Sequence, residues 1–176
     1  MKCSVRVFFL VVILSVFPMA AVSWQSNEHK FSFEVPNAGW KDMGADREGI
    51  LKKGVVEFAS TNGSNFSVSC YPYRVDEEFR LHRVHKTSET TLSMVQAYAS
   101  GPVWHIGTEG IRVINGMSGY QREISYMYNG RVYSAIIIVF AKNDTHYTLL
   151  YTWPGDIYIT GFRDFQSILS SFRISD

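Results

Sequence analysis

Cysteine is scarce in this sequence, whose 176 residues contain only Cys3 and Cys70. Cys3 lies in an N-terminal segment that we expect to be removed, so Cys70 has no partner for an intramolecular disulfide. An exported domain without disulfides must be held together by its apolar core. The cysteine count therefore excludes a small scaffold stapled by disulfides.

A long apolar run at the N-terminus is also absent. The apolar residues 7–17 are too few to cross a bilayer, which needs about 20. This run follows Lys2 and Arg6 and precedes small residues at the −3 and −1 positions of a cleavage site. We therefore predict a signal peptide at residues 1–23, cleavage near Ser23, and a periplasmic or secreted protein without a permanent membrane anchor.

An excess of charge of one sign is missing too. The chain has 17 Lys and Arg against 16 Asp and Glu, and the predicted leader contains two of the basic residues and no acidic ones. The remaining domain is close to neutral. Because electrostatic binding to phosphates needs a clustered basic excess, we expect no nucleic-acid partner.

The C-terminal half is rich in β-branched and aromatic residues, divided by turn signals. Asn115-Gly116, Asn129-Gly130 and Asn143-Asp144 supply residues that tolerate the positive φ of a type I′ hairpin turn. The runs between the turns are residues 111–114, 120–128, 131–141 and 147–153. This pattern predicts a meander of four antiparallel strands.

The third of these strands contains an uninterrupted apolar run, residues 135–140. An exposed strand face would show alternation between apolar and polar residues, and none is present here. We therefore expect other elements to cover both faces of the sheet.

Three further strands are predicted in the first half of the chain. Residues 30–36 alternate apolar and polar side chains and end at Pro36. Residues 50–60 and 66–73 follow, and we expect them to pair as a hairpin across Asn62-Gly63.

Two helices are predicted, and the start of one of them is left open. Residues 159–172 place apolar side chains on one face, and a helix from residue 88 or 90 to 99 ends before Gly101-Pro102. Residues 76–86 fit either a short helix or a charged loop. The expected architecture is a single α+β domain over residues 24–176, with about seven or eight strands in an antiparallel sheet and helices on both faces.

Several short phrases resemble the PsbP-like family, which includes bacterial exported PsbP/DcrB-like proteins. They are residues 31–36 (FSFEVP) followed by Gly39-Trp40, the Ile114-Asn115-Gly116 turn, and residues 165–174 (FQSILSSFRI). The resemblance implies an antiparallel sheet with helices on both faces. It also implies action by binding other macromolecules, with no family-wide catalytic motif and no shared partner.

The densest cationic patch in the chain is formed by Arg80, His82, Arg83, His85 and Lys86. On a helix, the two histidines and Glu78 would share a face, as ligands of a transition metal do. The neighbouring basic side chains repel a cation, so we predict no metal site. The patch is interpreted as a solvated charged face, with docking of an acidic protein partner as the functional alternative.

Aromatic residues supply a second candidate surface. Tyr126 and Tyr128 alternate with Ser125 and Met127, and this alternation places the two tyrosines with polar residues. Exposed tyrosines are common at protein interfaces. The pattern is interpreted as a helix packing over them, with an exposed protein-binding patch as the functional alternative.

No complete set of catalytic residues is visible. Cys70 alternates with Phe66 and Val68 on the apolar side of a strand, where a cysteine usually packs as a small hydrophobe. A Gly-x-Ser-x-Gly motif, a pair of carboxylates in one strand and a phosphate-binding glycine loop are all missing from the sequence. We therefore expect a protein that is not an enzyme, with no catalytic residues and no cofactor.

The sequence favours an exported, non-enzymatic module that binds an envelope or secretion-associated protein. The candidate contacts are Arg80, His82, Arg83, His85, Lys86, Tyr126 and Tyr128. The alternative is a carrier that holds a small apolar ligand or lipid between the sheet and a helix.

Overall fold

The computed structural model describes residues 21–36, 39–44, 55–72 and 80–175. Within these ranges the chain forms ten strands and two α-helices. In chain order they are β1 (Val22–Ser26), β2 (Phe31–Val35), β3 (Trp40–Asp42), β4 (Val56–Ser60), β5 (Asn65–Pro72), α1 (Arg80–Tyr98), β6 (Val103–Ile114), β7 (Met117–Tyr128), β8 (Arg131–Lys142), β9 (Thr145–Pro154), α2 (Tyr158–Ser171) and β10 (Arg173–Ile174). One 3₁₀ turn, Gly155–Ile157, leads into α2.

The predicted meander is confirmed. Strands β6 to β9 are consecutive antiparallel neighbours in a seven-stranded sheet with the order β3-β4-β5-β9-β8-β7-β6. Both residues of each two-residue turn have positive φ, for example 51° at Asn115 and 79° at Gly116. The strands are longer than predicted, because pairing continues up to the turns and β6 already begins at Val103.

The apolar run in β8 is buried on both faces, as predicted. Ile136, Ile138 and Phe140 belong to one apolar cluster, and Ile137 and Val139 belong to another on the opposite face. Helix α1 packs on β7, β8 and β9 and closes the second cluster. Alternate side chains of one strand thus anchor two separate layers.

The first cluster is covered by more than a helix. Strands β1, β2 and β10 form a second antiparallel sheet, and α2 packs between this sheet and β9. Phe31 and Phe33 of β2 and Phe165 of α2 are all buried in this cluster. The protein is therefore α+β with two antiparallel sheets and two helices. The small sheet went unpredicted because β1 spans the predicted leader cleavage site and β10 has only two residues.

The hairpin predicted around Asn62-Gly63 is also confirmed. Strands β4 and β5 pair with Val56 opposite Val68 and Phe58 opposite Phe66. Of the strand predicted at residues 50–60, the structure describes Val55 onward, and β4 begins at Val56.

Helix α1 is longer than the predicted 88-to-99 segment, and residues 80–86 belong to it. Its buried stripe is Val84, Ser88, Thr91 and Val95, so two of the four side chains are small and polar. A search for apolar periodicity misses such a stripe. Residues 76–79 lie outside the described ranges.

The predicted leader cleavage near Ser23 falls within β1. Val22 and Ser23 pair with Val35 and Glu34 of β2, on the leader side of the expected cut. Residues 1–20 lie outside the described ranges, so the signal peptide stays a prediction. Among the described residues, no helix is long and apolar enough to span a membrane.

Small hydroxyl side chains are buried on the face of the sheet that α1 covers. Ser69 of β5 lies opposite Thr148 of β9, and both are buried, as is Ser88 on α1. None of these three hydroxyls has a hydrogen-bond partner among the described residues. Thr152, on the same face of β9, differs because it is hydrogen-bonded to Tyr126. A buried hydroxyl without a partner weakens the packing of α1.

We expect Thr148→Val to raise the free energy of unfolding by about 1 kcal/mol, because a methyl group replaces a desolvated hydroxyl of the same shape. Thr152→Val is the matched control in the same strand, and it should lower stability because it removes the bond to Tyr126. Denaturant unfolding measures both. A loss of stability in Thr148→Val would contradict this account of the interface.

Gly161 allows α2 to lie directly on the sheet. A Cβ atom at this position would overlap the ring of Trp153, which is fully buried. The contact explains why a helix interior tolerates a glycine, which normally costs about 1 kcal/mol relative to alanine.

Gly161→Ala should therefore destabilise the protein, since overpacking costs about 1–3 kcal/mol and outweighs the gain in helix propensity. The exposed neighbour Thr160 provides the control: Thr160→Ala gains propensity without a clash and should be neutral or slightly stabilising. Thermal unfolding of the two variants tests the contact, and equal stability would count against it.

Candidate functional site

The five predicted cationic residues lie together on α1. His82, Arg83 and Lys86 are exposed, and Arg80 and His85 are half-buried. Val84, in the middle of the group, is fully buried against the sheet. A helix places Val84 on the opposite side from the exposed residues, so burial of one valine turns the cationic patch outward.

Two contacts hold this part of α1 on the sheet. The Oγ1 atom of Thr87 lies 3.1 Å from Nδ1 of His146 on β9. The ring of His85 meets the ring of Tyr120 on β7 edge to face, with centroids 4.6 Å apart. The patch therefore stands on a fixed support.

The environment of His146 disfavours its charged form. Burial of the ring and the positive charge of Arg83 lower the pKa of His146 below its ordinary value. The space beside it, between Arg80 and the β8–β9 turn, has a volume of about 10 Å³. That is room for one water molecule at most.

The structure does not bring a third ligand to the metal site considered for His82, His85 and Glu78. His82 is exposed, whereas His85 is turned toward Tyr120 and lies 3.8 Å from Glu89. Glu78, the remaining proposed ligand, is outside the described residues. Within the described part of the chain, no three His, Cys, Asp or Glu side chains are placed to share a metal ion.

The expectation that Tyr126 contacts a partner has to be corrected. Only 3% of Tyr126 is exposed, and its ring stacks on Tyr133 beneath α1. Alternation failed as a guide here because both faces of β7 are covered at this point. Ser125, on the opposite face, is buried as well.

Tyr128 is half-buried and stacks on Tyr98, with ring centroids 4.4 Å apart. Burial and the hydrogen bond with Tyr128 raise the pKa of Tyr98 to about 12. Tyr98 ends α1, about 18 Å along the helix from the cationic patch. The two candidate surfaces are therefore separate, and Tyr98 joins the aromatic one.

An ion pair next to Tyr120, between a buried arginine and a more exposed glutamate, was not predicted. Arg122 is 4% exposed and donates a hydrogen bond of 2.6 Å to Glu109 on β6. The Tyr120 hydroxyl donates to the same carboxylate oxygen, and His105 lies 3.3 Å from the other. The sequence could have indicated this ion pair, because Arg122 occupies an otherwise apolar, inward face of β7, where a charged residue needs a partner.

The charge state of Glu109 follows from these contacts. Burial would raise the pKa of its carboxyl group, but the Tyr120 hydrogen bond and the charges of Arg122 and His105 lower it overall. Glu109 therefore stays ionised, and it fixes the tyrosine on which His85 rests.

Cys70 has the character expected from its strand position. It is partly buried against the core, and burial raises the pKa of its thiol to about 12. A thiol in that state is a poor nucleophile at neutral pH.

Open space lies away from α1. A groove of about 740 Å³ runs between β1, β2 and the end of α2, and its lining includes Trp24, Glu34 and Arg173. By contrast, Val84, Val95, Ile124 and Ile137 are fully buried between α1 and the sheet. These side chains fill the space between α1 and the large sheet, so a carrier of the predicted type would hold its ligand elsewhere, and the groove lies between the small sheet and α2.

Because folding lowers the pKa of His146, the unfolded chain takes up a proton at a pH where the folded protein resists it. Stability should therefore fall as the pH drops below the ordinary histidine value of about 6.5. We expect His146→Gln to flatten this part of the stability profile, and Thr160→Ala, at an exposed site on α2 without a titratable group, to leave its slope unchanged. Denaturant unfolding at a series of pH values measures the slope. Parallel profiles for His146→Gln and the unmodified protein would contradict the assignment.

No protein-family model and no curated protein matches this sequence. Solved structures do resemble it in fold. The solution structure of cyanobacterial PsbP (CyanoP) from Synechocystis sp. PCC 6803 matches with a TM-score of 0.66 and 16% identity, over 92% of this chain and 96% of that one. LpqN of Mycobacterium tuberculosis, described as involved in cell envelope biogenesis, matches with a TM-score of 0.56 and 12% identity, over 89% of this chain and 92% of that one. A mutant of the protein Mog1 matches with a TM-score of 0.57 and 10% identity, over 90% of this chain and 97% of that one.

These matches extend over most of each protein, and they agree with the two sheets and two helices described above. At such low identity they establish a shared fold and transfer no residue roles. The chain has a PsbP-like fold.

Proposed function

We propose that this protein is an exported, non-enzymatic module that binds another protein through the outward side of residues 80–86. The observation that carries the proposal is the arrangement of α1, on which buried Val84 and the Thr87–His146 contact fix an outward cationic surface. A surface that is already rigid loses little conformational freedom on binding.

The chemistry of this surface fits a protein partner. Leu81 is 44% exposed beside His82, so an apolar side chain stands within the cationic group. An interface of this kind combines an apolar anchor with charges that steer the partner. The matching partner surface would carry acidic side chains around an apolar contact.

One structural comparison supports the proposal that the protein acts outside the cytoplasm. LpqN, with the same fold, is described as involved in cell envelope biogenesis. The signal peptide predicted at residues 1–23 would bring this chain to an extracytoplasmic site. Partner identity does not follow from fold.

The proposal is tested by placing a photo-crosslinking amino acid at Leu81 and mixing the protein with an envelope extract of its source. A discrete adduct should form and should be competed away by unmodified protein. Arg83→Gln combined with Lys86→Gln should reduce the adduct about fivefold, more strongly at low salt, because surface charges steer the encounter.

Two controls make the result interpretable. Lys41→Gln removes an exposed charge from β3 and should leave the adduct unchanged, and a crosslinker at Ile159, which is 84% exposed on α2, should not give it. The same adduct from Leu81 and Ile159, or full yield from the doubly neutralised variant, would refute the proposed surface.

A further inference from the structure

Strand β6 is one edge of the seven-stranded sheet, and no described residue pairs with its outer side. It also carries exposed apolar side chains, including Ile111 and Val113, which are 59% and 71% exposed. Edge strands are usually protected from pairing by charges, prolines or bulges. In residues 110–114 the only such protection is Arg112.

The first half of β6 is protected differently. The register with β7 shifts between His105 and Glu109, so residues 106–108 face a single residue, Glu123. Gly107 lies so close to Glu123 that a Cβ atom would overlap its carboxylate. This irregular segment disrupts any further ladder, and regular pairing of β6 with β7 resumes only at Glu109.

The turn fixes which backbone groups of residues 109–114 point outward. In a two-residue hairpin the pair flanking the turn, here Ile114 and Met117, is hydrogen-bonded. Because hydrogen-bonded and open positions alternate along an antiparallel strand, Arg112 and Gly110 also bond to β7. Glu109, Ile111 and Val113 therefore direct their N–H and C=O groups away from the sheet.

We propose that two copies of the chain pair along this edge, antiparallel, about a two-fold axis at Ile111. The backbone N–H and C=O groups of each Ile111 then form hydrogen bonds with those of Ile111 in the other copy. Each Val113 lies opposite Glu109 of the other copy and pairs with it in the same way. The arrangement makes six backbone hydrogen bonds and buries the most exposed apolar side chains of the edge. It joins the two sheets into one continuous sheet.

The charges and the irregular segment select this register. An axis at Arg112 would place two guanidinium groups directly opposite one another, which is unfavourable. An axis at Gly110 would run the second strand into residues 107–108. With the axis at Ile111, Arg112 lies opposite Gly110, which has no side chain and has open space around its Cα atom. Glu109 keeps its bonds to Arg122 and Tyr120.

The pairing also determines how the two α1 helices lie relative to each other in the dimer. A two-fold axis perpendicular to the sheet keeps the faces of both copies aligned, so both α1 helices lie on the same side. The dimer would present two copies of the 80–86 surface to a partner, and the second contact would form at a raised effective concentration. An interface of one short strand pair falls in the small class, below about 1,200 Å², so the dimer is reversible.

Sedimentation of the purified chain over a range of concentrations tests the pairing. We expect a monomer–dimer equilibrium that Ile111→Pro weakens at least about tenfold, because proline removes an outward N–H from both copies and so two of the hydrogen bonds. The substitution leaves the bonds to β7 in place, and circular dichroism checks that the fold is kept. A chain that is monomeric throughout, or a dimer that Ile111→Pro does not weaken, overturns the proposal.

A covalent trap tests the axis even if the proline variant fails to fold. In a Cys3→Ser background, Ile111→Cys should give a disulfide-linked dimer on mild oxidation, since paired Cα atoms about 5.5 Å apart suit a disulfide. Val132→Cys is the matched control, as Val132 is 42% exposed but lies on β8. Equal crosslinking of the two variants would place the contact between copies elsewhere. No crosslinking of Ile111→Cys would leave the edge to a strand of another protein. Either result rejects self-pairing.

Discussion

Residues 134–140 of strand β8 lie inside the sheet with neither face open to solvent, and the other layers are placed by the need to keep them covered. Ile136, Ile138 and Phe140 require a cover on one side, and Ile137 and Val139 require one on the other. The chain supplies α1 for one face, and α2 with the small sheet for the other. Because alternate residues of a strand point in opposite directions, one apolar run determines a three-layer architecture.

The two covers differ in their chemistry, and the difference bears on function. The small sheet and α2 bury large aromatic rings, among them Phe31, Phe33 and Phe165. Helix α1 instead packs valines on a smaller apolar cluster and covers hydroxyl groups, such as those of Ser88 and Thr148, that lack hydrogen-bond partners among the described residues. The Thr87–His146 contact and the His85–Tyr120 contact add two defined points of attachment to this smaller apolar cluster. The cationic surface thus lies on the helix that covers the less aromatic of the two faces.

The candidate site was predictable where it depends on neighbours in sequence. Residues 80–86 were recognised as a cationic group, and one helix holds them together. Tyr126 was placed wrongly because local alternation does not reveal that α1 crosses β7. The Arg122–Glu109 ion pair joins strand β7 to the edge strand β6. The partner of Arg122 was not predictable because the order of strands in the sheet decides which residues of β6 and β7 meet.

The sequence by itself determined the meander, its turns and the need for two covering layers, since these follow from turn chemistry and from apolar patterns within single segments. It also determined that the chain has only two cysteines and is nearly neutral. Tertiary structure alone decided what covers each face, that β1 and β10 flank β2, and that β6 is an outer edge with Ile111 and Val113 exposed. The reason is physical: burial and edge position depend on contacts between segments far apart in the chain, which no local pattern encodes.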